Sequence, residues 1–181
     1  LNCNSLLGCT KIVILQDDRD VRLGVPGNFY QIIKKCGRFD YYAFCDQDDY
    51  WYKDKIKWAV ERLEKNKKTN VPIVYCSSCR YVEENGTVIR YFPKQHNIDI
   101  NKVIYHTPAP GFTIVINEIA KNQFITSCNP GHEIHDRYLI RSGVCFGNVL
   151  YDSRCTADHI RHNEAVTDND STNLKLFMGF I

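Results

Sequence analysis

Residues 40–49 read Asp40-Tyr41-Tyr42-Ala43-Phe44-Cys45-Asp46-Gln47-Asp48-Asp49, an apolar run that ends abruptly in three carboxylates. The run has strand composition. If the strand carries through its acidic end, Asp46 and Asp48 project to one side, because side chains alternate with a period of two. Two converging carboxylates without a partner repel and raise each other's pKa. A hard divalent cation removes that penalty, and Mg2+ or Mn2+ takes oxygen ligands while keeping positions open for phosphate oxygens. The competing reading is a plain acidic turn in which Asp48 or Asp49 caps the next helix.

Outward from this stretch, secondary-structure signals alternate. Downstream, residues 53–67 carry Ile56, Ala59, Val60 and Leu63 at helical spacing. Residues 72–77 and 79–83 read as a strand region, Asn85-Gly86 as a tight turn, and 87–92 as the return strand. Residues 111–116 read as a strand, and Asn117 caps a helix over about 118–126. A further helix is expected over 131–143 with Ile134, Tyr138, Leu139 and Ile140 inward, then a final strand over 147–152. Upstream, 11–16 read as a short buried strand, followed by a polar loop. Asn28 caps a helix over about 29–36, which Gly37 ends as its left-handed C-terminal residue. Residues 168–173 read as a polar loop. Strands alternating with helices predict an α/β fold with a mainly parallel sheet. Ligands of such sheets sit at the carboxyl ends of the strands, which points back to the residues just after Cys45.

Composition narrows the function classes. The 181 residues suit one domain, with 44% hydrophobic and 24% charged residues. A formal net charge of +2 gives no global argument for nucleic-acid binding. The local run of lysines over 53–68 reads as a solvated helix face, the alternative being peripheral contact with an anionic membrane. No apolar run approaches the roughly 20 residues that span a bilayer. Nine cysteines, several inside strand-like runs, read as mostly reduced buried thiols of a cytoplasmic protein. Cys76 and Cys79 form a CxxC pair; two thiols on a strand is the preferred reading, a zinc-binding module the alternative.

The stretch DYYAFCDQDDYWYKDKIKWAVERLEKN (40–66) resembles the central signature of family-two glycosyltransferases of the GT-A fold, closest to bacterial enzymes of surface polysaccharides, rhamnosyltransferase-like members included. There a strand ends in a DxDD-type motif followed by aromatics and a lysine-bearing helix. The resemblance extends to LGVPGNFYQII (23–33), PAPGFTIVIN (108–117), HEIHDRYLI (132–140) and ADHIRHNEAVT (157–167), and so covers about 11–168, leaving 169–181 as a tail. It implies a single GT-A (Rossmann-like) domain that the chain enters at about the third strand, with the "TYN" and "DDGS" elements of the family absent from the first residues. This implies an inverting transferase that moves a sugar from a nucleotide-diphosphate donor to a saccharide or lipid-linked acceptor at the inner face of the membrane. Loss of the first half would instead leave a non-catalytic, partner- or nucleotide-binding remnant.

The resemblance also assigns residues. Asp46 and Asp48 would bind Mg2+ or Mn2+ and the diphosphate, with Asp49 beside them. Asp136, in His135-Asp136, would be the general base for the acceptor hydroxyl; a helix-start aspartate favoured by the macrodipole is the plainer reading. Arg161 would neutralise phosphate and His162 would complete the metal shell or touch phosphate, although His159-Ile160 stands where the common pattern has Tyr-Arg. Gly111 would open the family's "G-C-T" element, allowing close backbone approach to a ligand. Trp51 either stacks on a sugar or packs beneath the helix.

Overall fold

A computed structural model describes residues 24–161, apart from 69, 94–102, 104–105 and 130–132. The expected strand at 11–16, the polar loop at 168–173 and His162 lie outside the described residues. The elements in order are α1 (Gly24–Lys35), β1 (Tyr41–Ala43), β2 (Asp49–Trp51), α2 (Lys55–Lys65), β3 (Ile73–Glu83), β4 (Val88–Phe92), a 3-10 turn (Gly111–Thr113), β5 (Val115–Asn117), α3 (Glu118–Ser127), α4 (His135–Phe146) and β6 (Asn148–Arg161).

The sheet is mixed, with strand order β1-β5-β3-β6-β2 and β4 added on β3. The expected mainly parallel sheet is corrected here. Among the described residues only β3 and β6 run parallel, and the other four pairings are antiparallel. β3 is the long central strand. β6 runs along one side of it, while β5 and then β4 share the other. β3 could not show this in sequence, because a strand buried on both faces reads as a continuous apolar run whichever way its neighbours point.

Alternate β3 residues enter different cores. Val74 and Cys76 join Ile33, Phe44, Ile114, Phe124, Leu139 and Ile140 under α1, α3 and α4. Ile73 and Tyr75 join Ala59, Leu63 and Leu150 under α2. The sheet is therefore covered by α2 on one face and by the other three helices on the opposite face. Cys76 and Cys79 fall into different clusters and are not arranged as two ligands of one ion. All seven described cysteines are free thiols.

Element boundaries move in instructive ways. α1 starts at Gly24 rather than after Asn28, and Gly37 is not left-handed; Gly24, Asn70 and Gly86 have positive φ. Asn117 does cap α3, its side chain accepting from the Ala120 N–H at 3.0 Å. α4 begins at His135, leaving Ile134 exposed while Leu139 and Ile140 are buried. Residues 111–113 form a 3-10 turn rather than a strand. β6 continues nine residues beyond the expected 152, to Arg161, because its polar stretch DSRCTADHIR pairs in register with β3 and β2. No helix among the described residues is long and apolar enough to cross a membrane.

Candidate active site

The acidic stretch does not continue β1. The strand stops at Ala43, residues 47–48 form a turn, and Asp49 already belongs to β2. The alternation argument for Asp46 and Asp48 therefore fails, yet the carboxylates still converge because the turn folds them together. Burial raises the Asp46 pKa most, Asp49, Asp48 and Asp136 add negative charge, His159 opposes, and the result is about 6. Asp48 lies exposed on the turn. The charge of Asp136, 90 residues away in sequence in the first turn of α4, reaches Asp46 as well.

Asp49 is placed differently from its neighbours. Its side chain is 0% exposed, and Oδ1 lies 2.7 Å from Nδ1 of His159 across the β2–β6 pair. Oδ2 is buried without a hydrogen-bond partner. The hydrogen bond to Asp49 raises the His159 pKa against the opposing effect of burial. The ring stacks on Phe112 at 5.7 Å and meets Tyr81 edge-on at 4.9 Å. His159 was visible in the sequence only as a departure from the family pattern. Nothing in a polar run marks it as a strand residue facing Asp49.

Lys55 is a second residue that sequence reading missed. Its neighbours Lys53, Lys57, Lys65, Lys67 and Lys68 are exposed as expected, but Lys55 is fully buried. Nζ donates to Thr156 Oγ1 at 3.2 Å and lies 4.9 Å from the Trp51 ring centroid. Burial lowers its pKa to about 8, against the negative influence of Cys45, Cys79 and Asp49. Trp51 thus packs beneath α2, within the cluster of Cys79, Phe112 and Ala157.

Asp136 sits half-buried in the first turn of α4 and accepts from the Arg137 N–H at 2.5 Å. Burial raises its pKa, with Arg137 opposing. The preceding His135 is caged between Phe29 and Phe44, at 4.4 and 4.9 Å between ring centroids. Burial without a compensating partner lowers its pKa to about 4, so the ring is neutral, and Nδ1 makes no hydrogen bond. Gly111 backs onto this ring: a Cβ there would overlap the imidazole. The close approach that glycine permits at 111 is thus to His135. Glu133 pairs with Arg141. Arg161 is exposed at the end of β6, in register with Glu83.

Comparison with known proteins adds one relationship. No family model matches the chain. The chain is similar to the dTDP-rhamnosyl transferase RfbG of Shigella flexneri, 32% identical over 132 residues, covering 64% of this chain and 41% of that protein. The chain therefore spans less than half the length of that relative.

Proposed function

We propose that this chain carries the carboxylate site of a family-two, GT-A-type glycosyltransferase that moves a sugar from a nucleotide-diphosphate donor to an acceptor hydroxyl. The reading is supported by the negative charge that Asp48, Asp49 and Asp136 bring to bear on the half-buried Asp46, in a chain similar to a transferase that the name ties to dTDP-rhamnose.

Among the described residues no three His, Cys, Asp or Glu side chains form a ready-made metal site. A hard cation held by two carboxylates would suit the donor chemistry of Asp46 and Asp48. Mg2+ is commonly held by one or two carboxylates plus substrate phosphates and water, and the raised Asp46 pKa marks a place where a positive charge is wanted. Asp46 and Asp48 would hold it, with His162 as a further ligand and Arg161 as a phosphate contact. Such an ion supplies charge stabilisation to the leaving diphosphate. Asp49 serves differently, anchoring the turn to β6 through His159. Gly111 makes room for the His135 ring beside Asp136.

Asp136 is the base. Burial lifts its proton affinity toward the working pH, which is what a general base needs. In an inverting displacement the acceptor O–H proton passes to Asp136 as the acceptor oxygen bonds the anomeric carbon. The bond from that carbon to the diphosphate oxygen breaks, and its electron pair leaves with the nucleoside diphosphate. The acceptor is a saccharide or lipid-linked saccharide of cell-surface polysaccharide synthesis, and the reaction belongs at the cytoplasmic face of the membrane.

The test is calorimetric titration of the full-length protein with a nucleoside diphosphate and Mn2+. Wild type binds, and Asp46→Asn and Asp48→Asn lose metal-dependent binding while keeping their circular dichroism. Unchanged affinity in both variants overturns the assignment, and a wild type that binds no nucleotide favours a non-catalytic remnant.

A further inference from the structure

Across the sheet, four directly paired residues form a row: Tyr91 on β4, Arg80 on β3, Asp158 on β6 and Tyr50 on β2. Directly opposed residues of neighbouring strands share a face. The two end residues are 57% and 63% exposed, high values for large aromatic rings. The centre is built rather than incidental. Arg80 Nε and Nη2 each donate to Asp158 at 2.7 Å, and Tyr52 donates to the same carboxylate at 2.5 Å. The Tyr52 ring lies 6.2 Å from that of Tyr50 and carries the Arg80 guanidinium 5.5 Å from its centroid. The row is thus tyrosine, flat ion pair, tyrosine. Three strand spacings of about 4.8 Å separate its ends by about 14 Å.

Its position ties it to the proposed site. On β3, Arg80 lies on the same face as Cys76, which packs in the core beneath α4. Four residues place the row about 13 Å farther along the strand, on the face that α4, with Asp136 in its first turn, covers.

We infer that this row is a saccharide-binding strip that holds an oligosaccharide acceptor chain beyond the reacting unit. The inference rests on the transferase reading above. Sugar rings offer flat C–H faces to aromatic rings and rim hydroxyls to planar charged groups, and the row presents both in alternation. Tyrosine supplies rigid area at low entropic cost and keeps a wet polar tip. The guanidinium, oriented by two hydrogen bonds to Asp158, is a fixed donor plane. A length of about 14 Å exceeds one sugar ring, so the strip selects for chain length. Within the row the two exposed rings are separated by an ion pair, with Val88 and Ile89 of β4 exposed beside Tyr91; a charged pair at the centre is unlike the apolar centre of a protein interface.

The experiment titrates the full-length protein with a rhamnose tetrasaccharide and with methyl rhamnoside, and separately with a nucleoside diphosphate and Mn2+. The tetrasaccharide should bind more tightly than the monosaccharide. Tyr50→Ala and Tyr91→Ala should each weaken the tetrasaccharide about tenfold, the size of one lost stacking contact. Tyr50→Phe, which keeps the ring, should restore it. Both alanine variants should keep wild-type affinity for the nucleoside diphosphate. Equal tetrasaccharide affinity in wild type and both alanine variants overturns the strip, as does absence of tetrasaccharide binding in a protein that binds the nucleotide. A wild type that binds neither ligand overturns the transferase reading itself and the strip with it.

Discussion

Asp49 and His159, 110 residues apart in the chain, meet through a 2.7 Å hydrogen bond across the antiparallel β2–β6 pair. Asp49, one of three aspartates within four positions, thus ties the end of the 47–48 turn to β6. The bond adds a side-chain link to the three backbone-paired residues of β2.

Stability should separate these aspartates. Removing one partner of a largely buried charged hydrogen bond costs about 1.5–3 kcal/mol, so Asp49→Ala should lower the urea midpoint markedly. Asp48→Asn, on the exposed turn, should leave it unchanged. Equal midpoints for the two variants would show that the Asp49–His159 bond contributes nothing to the fold.

Gly111→Ala should destabilise the protein by about 1–3 kcal/mol, the usual cost of overfilling a packed core. The added Cβ falls on the His135 ring. In the double variant with His135→Ala the cost of the alanine should largely vanish, because the obstructing ring is gone. A thermal-denaturation cycle reads the difference, and strictly additive losses would refute the contact.

His135 should make stability depend on pH. Its folded pKa is lowered to about 4 from an ordinary 6.5, so between those values the unfolded chain binds a proton that the folded chain refuses. Unfolding is therefore favoured as pH falls from about 6.5 toward 4. A shift of this size corresponds to roughly 3 kcal/mol. His135→Leu should flatten that part of the curve in urea melts taken at stepped pH. A slope identical to wild type would mean that another group carries it.

Asp136→Asn in the full-length enzyme should lower kcat by about 10²–10⁴-fold, the usual contribution of general acid–base assistance. Donor affinity should stay nearly unchanged, because the lost interaction is made in the transition state. The Asp46 and Asp48 variants should damage donor binding as well. Near wild-type turnover with the natural acceptor would move the base elsewhere, although Glu133 is already paired with Arg141.

Local elements were legible along the chain, and so was the acidic cluster of the proposed site. Hydrophobic spacing placed α2 and the β3–β4 hairpin, Asn117 declared its own helix cap, and DQDD at the end of an apolar run pointed to the proposed site. These are signals between residues close along the chain, and local physics is enough to read them. Strand direction, the inward turn of Asp49, the burial of Lys55 and the room that Gly111 leaves for His135 were settled by tertiary contacts. Each depends on a partner far away in sequence: β6 for Asp49 and Lys55, α4 for Gly111. A strand buried on both faces carries no mark of its neighbours' direction. A lysine in a basic run looks solvated until a neighbouring strand closes over it, because burial is a property of the assembled layers and not of the run.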